Sequence, residues 1–371
     1  MTCREVPVRP LRVLHAPVNV GNQPWTLSRA ERRLGVESDL VTNYSTWIGY
    51  PADRVLSSVG DMSLRGLANR ISGGIAAPFK YDVIHYYFGR SLLFWDDLPR
   101  FNHLPYADLH IAKWLGRKIF MTLQGCDSRI ASLSNRRYAH TTCAEGRCSA
   151  YSACVSHYDQ QRMSMIANVL PQCDRVFFLN PELGHYVPNA TFLPYANVDI
   201  GAIDILPPRQ SGVARIVHSP SDPAIKGTRQ ILEALDALKS RHEFELILVQ
   251  NKSHAEAMRI YRDADIAIDQ IFIGWYGGFS VEMMAMGKPV ACYIREEDLA
   301  VIPPKMREQL PILRINPDTL ASDIASILER RAEWTAIGER SRAFVERWHD
   351  PDRIAARMIE LYKSPATELF S

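Results

Sequence analysis

Short apolar runs alternate with segments of helical spacing along the whole chain. An apolar run at residues 11–15 is followed by helical spacing at residues 25–34 and by a second apolar run at residues 38–42. This order predicts a strand, a helix and a parallel strand joined by a right-handed crossover. The same pattern predicts more strands at 82–86, 118–123 and 174–179, and helices at 106–115 and 157–168.

The pattern is interrupted once, at Pro207–Gly212, whose Pro-Pro-Arg-Gln-Ser-Gly composition is typical of a linker. It then restarts. We predict strands at 214–218, 244–249, 265–271 and 289–294, and helices at 228–240, 255–262, 279–286, 320–330, 332–347 and 351–363. The chain is therefore predicted to be α/β throughout, with two Rossmann-like, doubly wound domains at 1–205 and 213–349.

Composition agrees with two domains and excludes several classes of protein. The chain has 371 residues, of which 47% are hydrophobic and 23% charged, and its net charge is +2. That composition excludes disorder and coiled coil, and the small charge argues against nucleic acid as a partner. The first two hundred residues are mildly basic and the rest mildly acidic. A basic first domain is compatible with an anionic substrate or a weak contact with a membrane surface, and equally with ordinary solvated charge.

The sequence also bears on location. No apolar run approaches the ~18 residues that cross a bilayer, and the charged segment Met1–Pro10 lacks the apolar core of a signal peptide. We therefore expect a cytoplasmic protein, either free or peripheral to the inner face of the membrane. The amphipathic stretch Met62–Arg70 could touch such a membrane, although surface helices of globular domains look the same.

Two common nucleotide motifs are missing. Neither a GxGxxG fingerprint nor a Walker A sequence follows the first strand of either half. Dehydrogenase and P-loop kinase functions therefore lose their main support.

The strongest local signal is a glycine-rich loop between a predicted strand and the helix that starts near Phe279. Its backbone amides and the helix dipole could bind a diphosphate, and Glu282 in the first turn could accept hydrogen bonds from ribose hydroxyls. An ordinary tight turn would have a similar sequence. The candidate donor-binding residues of this loop are Gly274, Trp275, Tyr276, Gly277, Gly278 and Phe279.

A second signal lies after the first strand of the second half. There Lys226 and Gly227 precede Thr228, which could cap the next helix. The Lys226 ammonium could reach the same diphosphate, whereas most lysines are simply solvated. The presence of two anion-binding elements in one domain makes coincidence less plausible.

These residues give residues 213–295 a resemblance to the donor-binding domain of GT-B glycosyltransferases, in particular the large retaining family four. The similarity lies in Lys226-Gly227 and in Glu282 followed by Ala285-Met-Gly-Lys-Pro-Val290. It implies two domains facing across a cleft and transfer of a sugar from a UDP- or GDP-sugar to an acceptor hydroxyl, with retention and without a metal or other cofactor. The acceptor would be a polysaccharide, a glycolipid or a lipid-linked precursor.

The resemblance also implies residue roles. Lys226 would neutralise the leaving diphosphate, Glu282 would hold the ribose, and the amides of residues 277–279 would stabilise developing charge. In the first domain, Gly21 and Asn22 would approach the donor phosphates. Gln124 would lie beside the transferred sugar, with Asp127 on the acceptor side. Apart from the resemblance, His85 is a further acceptor-side candidate because it lies at the end of a predicted strand of the first domain. The C-terminal helix, about residues 350–371, would pack back on the first domain.

Three positions depart from the family pattern. Gly274 stands where a first glutamate is common, so either Asp269 or the backbone at Gly274 and Trp275 is expected to face the sugar instead. Ser221 replaces an arginine, and Gln124 replaces a histidine. These departures leave two alternatives open: a GT-B sugar epimerase or phosphorylase, and a nucleotide-sugar-binding protein without catalysis.

Two further groups of residues concern metals. Asp263-Ala-Asp265 imitates a metal-binding DxD motif, but its position between a helix and a strand favours a structural role. Cys143, Cys148 and Cys154 are followed by His157, a set whose chemistry suits zinc or an iron–sulfur cluster but whose spacing fits no common motif. Unpaired cysteines in a loop are the alternative.

Overall fold

The computed structural model describes residues 9–369 of the protein. Residues 1–8, on which the expectation of a cytoplasmic chain partly depends, and 370–371, the end of the predicted terminal helix, lie outside the described residues. The strands within the described range are β1 (Arg12–Ala16), β2 (Glu37–Thr42), β3 (Arg54–Val55), β4 (Val83–Tyr87), β5 (Lys118–Leu123), β6 (Arg175–Phe178), β7 (Thr191–Phe192), β8 (Ala214–His218), β9 (Phe244–Leu248), β10 (Ile266–Ile268), β11 (Val290–Cys292) and β12 (Leu313–Arg314).

The helices of the same range alternate with these strands. They are α1 (Gln23–Arg33), α2 (Leu64–Lys80), α3 (Ala107–Trp114), α4 (Ala131–Arg137), α5 (Tyr151–Ala153), α6 (Asp159–Asn168), α7 (Pro223–Lys226), α8 (Thr228–Leu238), α9 (His254–Tyr261), α10 (Gly278–Ala285), α11 (Pro304–Glu308), α12 (Leu320–Glu329), α13 (Trp334–Trp348) and α14 (Pro351–Lys363).

The first sheet has the order β3-β2-β1-β4-β5-β6-β7, and its strand pairs are parallel. Parallel strands covered by helices on both faces are buried along their length, which is why β4 and β5 are apolar runs without alternation. The strand order reverses between β1 and β4, and a crevice at such a switch point is a common ligand site.

The second sheet has the order β12-β11-β10-β8-β9 and is also parallel. The predicted apolar face of α8 is buried against it through Ile231, Leu235 and Leu238. Two doubly wound parallel sheets with flanking helices confirm the predicted fold class.

The last helix returns to the first sheet. In α14, the Tyr362 hydroxyl donates to Glu31 Oε1 at 2.9 Å, and Asp352 forms an ion pair with Arg33 of α1. Trp334 of α13, in contrast, is buried in the core of the second sheet. The boundaries of the two domains at 205 and 213 remain a prediction.

The largest difference between the predicted and the observed strands concerns the shortest ones. The two-residue strands β3, β7 and β12 were not predicted, because two residues show no periodicity. Helix α2 is longer than the predicted stretch 62–70, since Gly73, Gly74 and Pro78 obscure its second half in the sequence.

Candidate active site

A cleft of about 450 Å³ lies where the carboxyl ends of the two sheets face each other, a size typical of ligand pockets. Gly21 and Gln124, from the loops after β1 and β5, line one wall. The opposite wall belongs to the second domain. Six residues that the sequence analysis predicted to belong to the site line this second wall: Ser221, Lys226, Gly277, Gly278, Phe279 and Glu282. The fold therefore brings most of the predicted site together.

Lys226 is held in place by a tight turn. The Asp222 side chain caps α7 by accepting from the N–H groups of Ala224 and Ile225, and the turn ends at Gly227 with a φ of 76°. A Cβ at residue 227 would also lie 2.3 Å from Ile271, so glycine is required there. The lysine side chain is 12% exposed and donates from Nζ to Asp269 Oδ1 at 2.7 Å.

Asp269 follows the central strand β10 and is buried behind Lys226. Besides the lysine it accepts from Gly277 N at 2.8 Å and from Ser280 Oγ at 2.7 Å. Burial alone would raise its pKa, but the Lys226 ammonium and these hydrogen bonds hold the pKa below its ordinary value. The expectation that Asp269 faces the sugar is therefore wrong: the carboxylate positions Lys226 and the glycine loop.

Helix α10 begins at the cleft. The N–H groups of Gly278 and Phe279 have no acceptor among the described residues, so they are available to an anion at this helix N-terminus. A Cβ at Gly277 would lie 3.1 Å from Lys226 Nζ, and one at Gly278 would lie 2.9 Å from Asn197 Nδ2. Glycine at both positions keeps the loop close to the lysine and to the first domain.

The first half of the same loop turns away from the cleft. Gly274 has a φ of 81° and its carbonyl accepts from Arg295 N, while Trp275 packs its ring edge-on against Phe192. Tyr276 is fully buried, with its hydroxyl bonded to His349 Nε2 at 2.8 Å. The prediction that Gly274, Trp275 and Tyr276 bind the donor is therefore wrong, because their side chains and turn stabilise the core behind the site.

Glu282 lies on the cleft wall and is already hydrogen-bonded. Its Oε1 accepts from His254 Nε2 at 2.8 Å and from Asn197 Nδ2 at 3.4 Å. Burial would lower the pKa of His254, but the Glu282 carboxylate raises it above 6.5. His254 also meets the first domain: its N–H donates to Ile48 O at 3.2 Å, and its ring lies 5.0 Å from that of Tyr50. Sequence reasoning missed His254 and Asn197, which no motif connects to Glu282.

The pairing of His254 with Glu282 predicts a pH-dependent stability. The folded state favours the charged imidazole, so its stabilising effect is complete below the pKa of the unfolded chain and disappears as pH rises through the raised folded-state pKa. In His254→Gln the difference in Tm from wild type should be largest below pH 6.5 and should narrow above it. Thermal denaturation across this range tests the pairing, and a difference that stays constant or widens with pH would contradict it.

In the first domain, Gly21 lies on the cleft wall and Asn22 one residue behind it. Asn22 has a φ of 60° at the start of α1, and its Nδ2 donates to Asn197 O at 3.0 Å. Gln124 lines the cleft with its Nε2 donating to Val20 O at 3.1 Å. Asn22 therefore ties the start of α1 to another loop of the first domain beside the site, and Gln124 lies on the cleft wall.

The two predicted acceptor-side residues are buried. His85 is fully enclosed in the first sheet, between Thr122 Oγ1 at 2.7 Å and Tyr362 OH at 2.9 Å. This corrects its assignment to the acceptor side. The Asp127 carboxylate accepts from the N–H groups of Gln124 and Gly125 at 2.9 and 2.7 Å, so it shapes the loop that holds Gln124.

A buried cluster of charges joins the domains at one side of the cleft. Arg129, which lines the cleft, donates to Glu182, and Arg295 of the second domain lies 3.7 Å from the same carboxylate. Arg295 also pairs with Asp298 at 2.8 Å. No motif connects Arg129, Glu182 and Arg295, because these residues are far apart in the chain.

The candidate metal ligands do not form a site. No group of three or more His, Cys, Asp or Glu residues within 9–369 is arranged to hold a metal ion. Cys143 and Cys154 pack against Ala131, and burial raises the pKa of the Cys143 thiol to about 12. His157 is hydrogen-bonded to Gln161. The hypothesis of a structural metal at these residues and Cys148 is therefore corrected to free thiols.

The DxD-like motif has a structural role. Asp265 is buried and accepts from Arg209 and from Arg215 N. Its carboxylate thus fixes the start of the second domain, as its position in the sequence predicts.

Comparison with known proteins defines the class of fold. No protein-family model matches the chain, and no curated protein matches it in sequence. Among solved structures, sucrose-phosphate synthase from Thermosynechococcus elongatus is similar with a TM-score of 0.59 and 14% identity, over 96% of this chain and 99% of that one. A glycosyltransferase from Rickettsia africae ESF-5 matches with the same score and identity, over 96% of this chain and 98% of that one.

A third similar structure is WaaG, a glycosyltransferase involved in lipopolysaccharide biosynthesis. Its TM-score is 0.52 at 11% identity, over 93% of this chain and 98% of that one. Identities this low establish the fold alone. The chain has the GT-B fold of these glycosyltransferases, which confirms the resemblance predicted from its sequence at the level of fold.

Proposed function

We propose that the protein is a glycosyltransferase that moves a sugar from a nucleoside diphosphate sugar to an acceptor hydroxyl. The observation that carries this proposal is the convergence of Lys226, the free N–H groups of Gly278 and Phe279, and Glu282 on one cleft of a GT-B fold. The cation and amides suit a diphosphate, and the carboxylate suits the ribose hydroxyls next to it.

In the proposed reaction, the acceptor oxygen forms a bond to the anomeric carbon while the bond from that carbon to the diphosphate oxygen breaks. The electron pair of the broken bond stays on the diphosphate, which also takes the acceptor proton. Lys226 and the α10 amides stabilise the negative charge that develops there. The bond from His254 Nε2 to Glu282 Oε1 holds this carboxylate on the cleft wall, where it would meet the ribose.

The experiment for this function is an assay of sugar transfer and donor hydrolysis with UDP- and GDP-sugars, with and without a chelator. We expect activity with one donor class, undiminished by EDTA, because Lys226 and the amides supply the positive charge. Tight donor binding without turnover over an acceptor panel would favour the non-catalytic binding protein. Conversion of the free donor to an epimer would favour the epimerase.

We also propose that α2 touches the inner face of a membrane and so brings the cleft to a lipid-linked acceptor. Leu64, Ile71, Ile75 and Phe79 recur at helical spacing and are all exposed on α2, with Arg65 and Lys80 at its ends. An exposed apolar stripe flanked by basic residues fits an anionic lipid surface. No helix within residues 9–369 is long and apolar enough to cross a membrane.

Vesicle cosedimentation tests this contact. The wild-type chain should bind phosphatidylglycerol vesicles more than phosphatidylcholine vesicles, and the double variant Ile71→Glu/Ile75→Glu should lose most of the binding. The double variant Val213→Glu/Val301→Glu, which places the same two charges at exposed apolar positions outside α2, is the matched control. Equal binding by the double variant and wild type would remove the proposal.

A further inference from the structure

A second cavity, of about 740 Å³, lies in the first domain and adjoins the nucleotide cleft. Phe88 and Cys126 form walls of both. We propose that this second cavity binds a neutral saccharide. Its role as the acceptor site rests on the transferase function proposed above, whereas the binding of a saccharide there does not.

Two unusual backbone conformations meet at this cavity. Phe88 and Tyr106 have φ values of 59° and 66°, and among residues 9–369 the other non-glycine residues with positive φ are both asparagines, Asn22 and Asn251. Bulky side chains rarely adopt this conformation, whereas asparagine tolerates it. The Tyr106 hydroxyl donates to Gly89 O at 2.8 Å, so the two strained segments hold each other. Strain of this kind concentrates at ligand-binding sites.

A third irregularity of the backbone also lines this cavity. Residues Cys154–Tyr158 form a π-helical turn between α5 and α6, and His157 and Tyr158 from this turn line the cavity. Such turns are frequent at functional sites. The Tyr158 ring is 43% exposed, so it is free to pack against a ligand. Separate segments of the chain thus place aromatic rings around one space.

The chemistry of the walls suits a sugar. Rings of Phe88, Phe94, Tyr106 and Tyr158 offer apolar faces for the C–H side of a pyranose. The same cavity is lined by amide side chains, which can donate hydrogen bonds to the hydroxyls of a sugar and accept hydrogen bonds from them: Asn102, Gln160 and Gln161. Binding sites for small molecules are typically lined by aromatic side chains together with a few polar groups that orient the ligand.

The charges around the cavity favour a neutral ligand. Arg90 is paired with Asp96, and Arg162 lies 3.4 Å from Asp159 and donates to Arg129 O. Each guanidinium therefore already has a carboxylate partner. An anionic sugar would have to compete with those carboxylates, whereas an uncharged one would not.

Saturation-transfer NMR on the full chain tests the site with methyl α-D-glucopyranoside, methyl α-D-mannopyranoside and methyl α-L-rhamnopyranoside, and with glucuronic acid as the anionic comparison. At least one neutral glycoside should bind. In Tyr158→Ala its Kd should rise about tenfold, because one ring face is lost. Trp114→Ala removes an exposed aromatic ring outside the cavity and should leave the Kd unchanged.

Three results would overturn the proposal: no binding by any neutral glycoside, an equal loss in Tyr158→Ala and Trp114→Ala, or tighter binding of glucuronic acid. Titration of the same protein with UDP and GDP separates this proposal from the transferase function. If a glycoside binds but neither nucleotide does, the transferase function fails and the saccharide site stands. If a nucleotide binds but no glycoside does, only the saccharide site fails.

Discussion

Lys226→Ala should lower kcat for sugar transfer by about 10²- to 10³-fold, the usual loss when one group that stabilises developing charge is removed. The ammonium lies on the cleft wall 2.7 Å from Asp269 and beside the free amides of α10. Without it, the diphosphate would leave with only backbone dipoles to balance its charge. Steady-state kinetics with saturating donor measures the effect.

Two controls separate this loss of chemistry from misfolding. Lys239→Ala removes an exposed lysine of the same domain and should leave kcat unchanged. Lys226→Ala also leaves the buried Asp269 carboxylate without its cation, so the double variant Lys226→Ala/Asp269→Asn, which removes both charges, should recover stability but not activity. A double variant that transfers sugar at the wild-type rate would exclude the proposed function of Lys226.

Glu182→Gln should lower the free energy of unfolding by about 3–5 kcal/mol, as expected when a buried charge loses its partner. The Glu182 side chain is only 2% exposed and lies between Arg129 of the first domain and Arg295 of the second. In the variant, Arg129 would lose the carboxylate with which it pairs, and Arg295 would keep its pair with Asp298. Urea denaturation measures the change.

The matched control for this effect is Glu245→Gln. Its carboxylate pairs with Arg215 at 2.7 Å but is 52% exposed, so its loss should cost less than about 1 kcal/mol. A Glu182 variant as stable as the Glu245 variant would show that the buried cluster does not join the domains as described.

Much of the fold was predictable because its signals are local. Buried parallel strands leave apolar runs, and α8 shows its buried face at helical spacing through Ile231, Leu235 and Leu238. The two anion-binding elements were predictable for the same reason. Each is a short motif of neighbouring residues: Lys226 before a glycine turn, and Gly277-Gly278 before a helix. The structure places both on one cleft wall.

The orientation of side chains in the site was not predictable in the same way. Asp269 was expected to face the sugar, but β10 lies in the middle of its sheet, so the residue that ends it is buried. Trp275 and Tyr276 are buried, and their partners Phe192 and His349 come from distant parts of the chain. The partners His254 and Asn197 reach Glu282 from distant parts of the chain, and only the folded structure brings them together.

Calorimetric titration of the wild-type chain and of Lys226→Ala with UDP and GDP tests the central claim most directly. The claim is that the cleft binds a nucleoside diphosphate through Lys226 and the start of α10. It predicts binding of one of the two nucleotides to the wild type, much weaker binding to Lys226→Ala, and unchanged binding to Lys239→Ala. Failure of both nucleotides to bind, or equal affinity in wild type and Lys226→Ala, would contradict it.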